Sequence, residues 1–224
     1  MYHLVYNYYK MAMLYGIILS IFAIHNIKCE LISAVPHTPV WPDKFQQDFT
    51  ETFYYPILGT HNTSGTYYYD WQNLRYRIDR ENGRYDRYCG INGVKAFQNT
   101  PCSQLVLDGI RWVIYPEKKE CCQCCDAGHG CGILKPTWML GAQFLGEING
   151  VYKWNKPGLQ ANYYYERASD RRLLQIDQVP NDIQYYDADS FATSIKDEDD
   201  VFRLPAFCVK GKKCSLFSTC RAVG

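Results

Sequence analysis

From Leu74 to Asp79 the chain alternates strictly: Leu74, Tyr76 and Ile78 are apolar or aromatic, and Arg75, Arg77 and Asp79 between them are charged. Successive side chains of a strand point to opposite faces, so this pattern predicts a β-strand with one dry and one wet face. The same parity recurs upstream: Phe49, Phe53 and Tyr55 share a face in FTETFYY, and Tyr67, Tyr69 and Trp71 share one in GTYYYDWQ. Further strands are predicted at 105–115, 159–166, 172–178 and 182–186. In these, Ile110, Trp112 and Ile114 point one way, as do Ala161, Tyr163 and Tyr165. The pairs Asn82-Gly83, Asn92-Gly93 and Asn149-Gly150 favour the positive φ angles of tight type I′ hairpin turns. Helical signals are confined to 136–145 (PTWMLGAQFL), which opens on proline, and 187–196 (DADSFATSIK), with a capping Asp or Ser. The expected fold class is mainly β: antiparallel, hairpin-rich curved sheets forming a half-open barrel or sandwich, with one or two short helices.

The N-terminus breaks the strand pattern. Lys10 precedes an apolar run from Met11 to Ile24, and polar Asn26, Lys28 and Glu30 follow. That run is shorter than the roughly 20 residues a bilayer-spanning helix needs. It fits a secretory signal peptide over residues 1–29, cleaved between Cys29 and Ala34. A signal anchor or a buried core helix is the competing reading. The prolines of AVPHTPVWPDKF then predict an extended lead-in over 30–48, and a single disulfide-stapled β domain over 49–224. No later segment is apolar for long enough to span a membrane, so no transmembrane anchor is expected in the mature chain. The expected location is secreted or extracellular, or the lumen of the secretory or endolysosomal pathway. A formal net charge of +1 gives no electrostatic case for a nucleic-acid partner. The 20 Tyr, 10 Phe and 5 Trp suit strands and amphipathic walls, because each Tyr or Trp buries a ring while its polar edge stays bonded.

Cysteine parity agrees with export. Of 11 cysteines, removal of Cys29 leaves Cys89, Cys102, Cys121, Cys122, Cys124, Cys125, Cys131, Cys208, Cys214 and Cys220, an even set able to pair completely in an oxidising compartment. The run KKECCQCCDAGHGCG contains two overlapping C-x-x-C pairs, with His129 and Cys131 just beyond. Its zinc reading is weakened because adjacent cysteines on an extended chain diverge, and a redox reading lacks the strand-to-helix setting that lowers a thiol pKa. Structural disulfides are the expected role. Neighbouring cysteines seldom bridge each other, so this run is expected to reach distant partners, some of them in the tail, and to fasten a loop that follows WVIYP. His129 is then a bystander in a glycine-rich turn.

Asn62-Thr63-Ser64 is a glycosylation sequon, expected in a loop. The acidic run KDEDD raises a calcium site at Asp197, Asp199 and Asp200, although it lacks the spacing of a calcium-binding loop and reads more simply as a solvated turn. No nucleophile elbow, zinc-binding helix, phosphate-binding loop or dinucleotide fingerprint occurs. Glu147 and Glu166 are a conceivable glycosidase pair by residue type alone, and no enzyme is assigned.

The segments YPEKKECCQCCDAGHGCGIL, GVYKWNKPGLQANYYYE, IDQVPNDIQYYDADSF and VFRLPAFC together resemble secreted development-specific proteins of echinoderm embryos, with relatives in protists. These are similar to the ependymin-related proteins. The resemblance covers about Trp41 to Cys220. It implies two antiparallel sheets curled into a half-open barrel like that of bacterial lipoprotein carriers, an apolar pocket for lipid, calcium association and a possible homodimer. Ten mature cysteines with a doubled vicinal pair depart from the ependymin pattern, which puts the disulfide map and the dimer surface in doubt.

Periodicity and resemblance lead to one expectation: a non-enzymatic carrier with a hydrophobic small molecule or lipid as partner and no cofactor, calcium apart. Tyr67, Tyr69, Trp71, Tyr76, Trp112, Trp154, Tyr163 and Tyr165 are the candidates for its pocket wall. A structural or adhesive extracellular protein, its aromatics packed as core, is the alternative.

Overall fold

The computed structural model describes residues 35–55, 57, 59–90, 98–158, 161–215 and 218–222. The signal-peptide segment, its cleavage region and the Asn92-Gly93 pair lie outside them. Eleven strands form one antiparallel sheet: β1 (Lys44–Tyr55), β2 (Gly59–Asp70), β3 (Arg75–Arg80), β4 (Cys102–Leu107), β5 (Ile110–Tyr115), β6 (Glu120–Asp126), β7 (Gln143–Ile148), β8 (Val151–Lys156), β9 (Asn162–Arg167), β10 (Leu173–Gln178) and β11 (Asp182–Tyr186). The spatial order is β6-β5-β4-β3-β2-β1-β11-β10-β9-β8-β7. Two meanders thus run outward from β1, and β11 closes back onto it. Among the described residues, helix is limited to single turns at Ala127–His129, Glu198–Val201 and Thr219–Ala222.

Parity and register together build the core. Phe45 on β1 pairs with Tyr69 on β2, Tyr69 with Tyr76 on β3, and Tyr76 with Val106 on β4. On the other wing Phe49 pairs with Tyr186, and Ile176, Tyr164, Trp154 and Phe144 follow across β10, β9, β8 and β7. These side chains occupy one face of the sheet. The sheet curls until its two wings wall one cluster, while β6 and β7 do not pair with each other, which makes a half-open barrel. Trp41 and the segment carrying Trp138 and Met139 lie over the concave face. Trp41 meets Phe45, Tyr69 and Trp138 with ring centroids 5.4, 5.2 and 5.4 Å apart, and its indole N–H donates to the Tyr164 hydroxyl at 3.1 Å. The opposite face has its own layer, in which Ile195, Phe202 and Cys208 cover Leu105, Trp112, Ile114 and Cys121.

The mainly β, antiparallel expectation describes the molecule, and several local expectations differ from it. The first strand opens at Lys44, ahead of residue 49, and Trp41 from the lead-in is a core residue with 6% exposure. The stretch 105–115 is two strands, because Asp108 and Gly109 at φ 52° and 72° make the tight turn. Asn149-Gly150 is a hairpin as expected, at φ 53° and 76°. Asn82-Gly83 serves close approach instead: a Cβ on Gly83 would stand 2.5 Å from the Cβ of Cys102 and 2.7 Å from that of Cys89. Neither expected helix forms. Residues 136–141 are turns whose Trp138 and Met139 side chains cap the concave face, and Ala192 bridges to Gln46 in place of helix bonds.

The cysteine run is strand β6 rather than a loop. The pairs are Cys89–Cys102, Cys121–Cys208, Cys122–Cys214, Cys124–Cys220 and Cys125–Cys131. Strand alternation sends Cys121 to the outer cluster and Cys122 to the inner one, which is why neighbours bind different tail cysteines. Cys124, Cys125 and Cys131 lie close together, but all three are consumed in disulfides. His129 stands in an exposed turn, its backbone N–H donating to the Asp126 carboxylate at 3.1 Å.

Candidate functional site

Under the concave face, beside the Trp41–Trp138 plug, a cavity of about 320 Å³ opens to solvent. Tyr67, Tyr76, Ile78, Trp138, Ile176 and Tyr186 give it an apolar wall, and Arg80, Asp86, Gln104, Arg111, Asp182 and Gln184 give it a polar one. Both walls follow from one parity. Arg80 continues the inward series Tyr76 and Ile78 on β3, Gln104 lies opposite Ile78 on β4, and Arg111 lies opposite Val106 on β5.

The polar wall is a bonded network. Arg80 is 4% exposed, and its guanidinium donates through Nη2 to Glu51 Oε1 at 2.9 Å and lies 3.5 Å from Asp86 Oδ2. Glu51 is fully buried and also accepts from the Gln184 amide. Asp86 accepts from the backbone N–H groups of Tyr88 and Cys89 at 3.0 and 2.8 Å and from Gln104 Nε2 at 3.0 Å. Burial, with the Glu51 and Asp86 charges beside it, pushes the Asp182 carboxyl up to about 8, against the opposing pull of Arg80. Burial likewise raises the Tyr67 and Tyr76 hydroxyls, which stay protonated.

Arg111 is bonded differently. It is 8% exposed, and its guanidinium carbon lies 4.6 Å from the Tyr88 ring centroid and 5.7 Å from that of Tyr76. No carboxylate among the described residues forms an ion pair with it. Arg80 Nη1, Arg111 Nε, Trp138 Nε1 and Asp182 Oδ1 are all buried without a hydrogen-bond partner.

Of the eight wall candidates, Tyr67 and Tyr76 line this cavity. Tyr69 and Trp154 face the same side but are packed into the plugged core, where the Tyr69 hydroxyl donates to the Leu134 carbonyl at 2.8 Å and the Trp154 indole to Glu166 at 2.9 Å. Trp71 packs half-buried against that core from the β2–β3 turn. Trp112, Tyr163 and Tyr165 are on the opposite face: Trp112 lies under the C-terminal segment, and Lys153 lies over both tyrosine rings. Three consecutive tyrosines hide the parity of β9, and register selects Tyr164, paired with the inward Trp154. Trp41, Trp138, Arg80 and Arg111 escaped the sequence reading. Extending the Tyr76–Ile78 alternation two residues would have found Arg80.

The other candidate chemistry disperses. Asn62 is exposed and lies within β2, opposite Thr52, rather than in a loop. In the acidic run, Glu198 pairs with Lys44 at 2.8 Å and with Arg75, and Asp200 pairs with Arg203 at 2.9 Å. Asp197, Asp199 and Asp200 form no clustered set of ligand atoms among the described residues. Glu166 is locked by Trp154 and Arg171, whereas Glu147 is exposed on β7. A wider and more open depression of about 560 Å³ around Gly65 is lined by Asp, Thr, Ser and Glu side chains together with Phe49, Tyr185 and Tyr186. No helix of the described residues is long and apolar enough to cross a membrane.

Fold and cavity define a disulfide-stapled half-open β-barrel with an amphipathic interior. No protein-family model and no curated protein matches the sequence. Among solved structures, the chain is similar to an uncharacterized conserved protein from Thermus thermophilus at 11% identity and a TM-score of 0.46, covering 76% of this chain and 88% of that one. It is also similar to a LolA superfamily protein from Nitrosomonas europaea at 9% identity and a TM-score of 0.34, covering 72% and 90%. With TM-scores below 0.5, neither likeness bears on what the cavity holds.

Proposed function

We propose that this chain is a secreted, non-enzymatic binding or carrier protein that takes a small hydrophobic or amphipathic molecule into the cavity of the curled sheet. The observation that carries this reading is a solvent-open cavity of about 320 Å³ walled by Tyr67, Tyr76, Ile78, Ile176 and Tyr186. Ligand sites are concave, mostly apolar and equipped with a few convergent polar groups, with volumes from about 300 Å³ upward. Five disulfides agree with an oxidising compartment. The resemblance of the cysteine-run segments to secreted development-specific proteins leads to the same expectation. At roughly 30 Å³ per water-sized atom, the cavity holds roughly ten non-hydrogen atoms, which favours a short single chain or a ring over a two-chain lipid.

The test is native mass spectrometry of protein purified from a secreting host, followed by thermal unfolding with single-chain amphipaths. A co-purifying small molecule, or a rise in Tm with added amphipath, is expected, because a ligand that binds only the folded form at 100 times its Kd stabilises it by about 2.7 kcal/mol. No carried molecule and an unchanged Tm across the series overturn the reading. A second reading, an adhesive extracellular protein, is favoured by Leu140, Leu145 and Ile148, exposed on and beside edge strand β7. It expects concentration-dependent association that Ile148→Lys reduces.

A further inference from the structure

The cavity carries a cation that forms no ion pair among the described residues. Arg111 reaches it from β5, is 8% exposed, and lies against the rings of Tyr88 and Tyr76. The closest candidate counterion is Asp86, whose oxygens are already engaged by Arg80, Gln104 and two backbone N–H groups. Burying a charge without a partner is costly, and folded proteins meet that cost by pairing it. A water molecule satisfies a donor but leaves the charge. Among the buried charges around the cavity, both carboxylates, Glu51 and Asp86, are engaged by Arg80 rather than by Arg111.

Four buried atoms on side chains lining this one cavity lack a hydrogen-bond partner: Arg80 Nη1, Arg111 Nε and Trp138 Nε1 are N–H donors, and Asp182 Oδ1 is the one oxygen. This surplus of donors, beside a guanidinium without an ion pair, calls for a ligand that brings acceptors and a negative charge together. Charge-assisted hydrogen bonds of a guanidinium to an oxyanion are the strong kind. Tyr67, Ile78, Ile176 and Tyr186 then face the apolar remainder of the same molecule.

We infer that the cavity selects an anionic amphipath: a small organic acid whose carboxylate, or chemically similar oxyanion, pairs with Arg111 and the free Arg80 donor while its apolar body lies on the aromatic wall. This rests on the ligand-binding reading above and adds the charge of the ligand to it.

The experiment compares three probes of matched chain length, decanoate, decanol and decyltrimethylammonium, by titration calorimetry on the full secreted chain at pH 7, with acetate and inorganic phosphate as headgroup-only controls. Decanoate is expected to bind at least about tenfold tighter than decanol, the margin of a charge-assisted hydrogen bond, and the cation more weakly than either. Arg111→Gln should lower decanoate affinity by at least about tenfold and decanol affinity far less, so that the decanoate advantage disappears, while Arg111→Lys retains part of it. Equal affinities for decanoate and decanol in the unaltered protein overturn the inference and leave the apolar-ligand reading standing. This comparison decides the matter even if Arg111→Gln does not fold. Binding of none of the three overturns both. Phosphate or acetate binding as tightly as decanoate assigns the site to free anions and removes the amphipathic part.

Discussion

At the scale of single residues, the interior is unusual for the number of charges it tolerates. Glu51 is fully buried at the centre of β1, where Arg80 and Gln184 donate to its carboxylate. Asp182 faces Glu51, Asp86 and Arg80 from β11, and the two carboxylates make a further negative charge unfavourable there. Unfolded, Asp182 loses its proton near the ordinary aspartate value of about 4. Folded, it keeps the proton to about 8. The folded form therefore binds more protons across that window, so this residue's contribution to stability falls as pH rises through it. Asp182→Asn should remove that fall. Urea midpoints of the variant and the unaltered protein at pH 5 and pH 8 should diverge in favour of the variant at the higher pH, and a constant difference refutes the assignment. Trp41 is the other decisive residue. Its removal empties the centre of the plug and leaves the Tyr164 hydroxyl without its donor. Trp41→Ala should cost about 3–5 kcal/mol in chemical denaturation, whereas Leu74→Ala at an exposed turn should cost little.

At the scale of elements, the legible and illegible parts separate by mechanism. Alternation marked β3 because its two faces differ in chemistry, and Asn149-Gly150 marked the β7–β8 hairpin because few residues adopt its φ angles. It failed where a strand is buried on both faces: β4 and β5 have hydrophobic clusters on either side, so 105–115 shows no break except the Asp108-Gly109 turn. Proline and aromatic content at 136–145 mimicked a helix start, but the aromatic residues there are tied to the concave core, not to a helical stripe. For β6, adjacency of cysteines foretold distant partners, and only the sheet shows that three of them gather the tail. Cys121–Cys208, Cys122–Cys214 and Cys124–Cys220 close loops of 87, 92 and 96 residues in sequence separation. Removing one such link typically costs about 2–4 kcal/mol, chiefly by freeing the unfolded chain. Replacing both Cys122 and Cys214 by Ser should lower the unfolding free energy by that amount without changing the far-ultraviolet spectrum, and an unchanged denaturation midpoint would show the link to be redundant with its neighbours.

At the scale of the whole molecule, the mainly β, antiparallel, half-open architecture was legible in the spacing of strands and turns. The content of the cavity was not. The sequence reading treated every inward tyrosine alike as wall, because a local pattern reports which face a side chain joins and not what covers it afterwards. Tyr69 and Trp154 disappear under Trp41 and Met139, while Tyr67 and Tyr76 remain open, and that division is made by segments far away in the chain. Parity sets Arg80 on the inward side with Tyr76 and Ile78, apart from Arg75 and Arg77, but its partners Glu51 and Asp86 come from other parts of the chain and no local pattern names them.

The stapled tail has one more effect. Gln123 at the open end of the sheet donates its N–H to Lys212 and accepts from Cys214, and its side-chain oxygen accepts from Gly211. The tail therefore occupies hydrogen-bonding groups that a strand from a second molecule would otherwise use. At the other margin, β7 is interrupted by a bulge at Gly146. Cross-links that hold a small domain together thus also keep a covering on the sheet's β6 margin, and their reduction would free the tail that covers it.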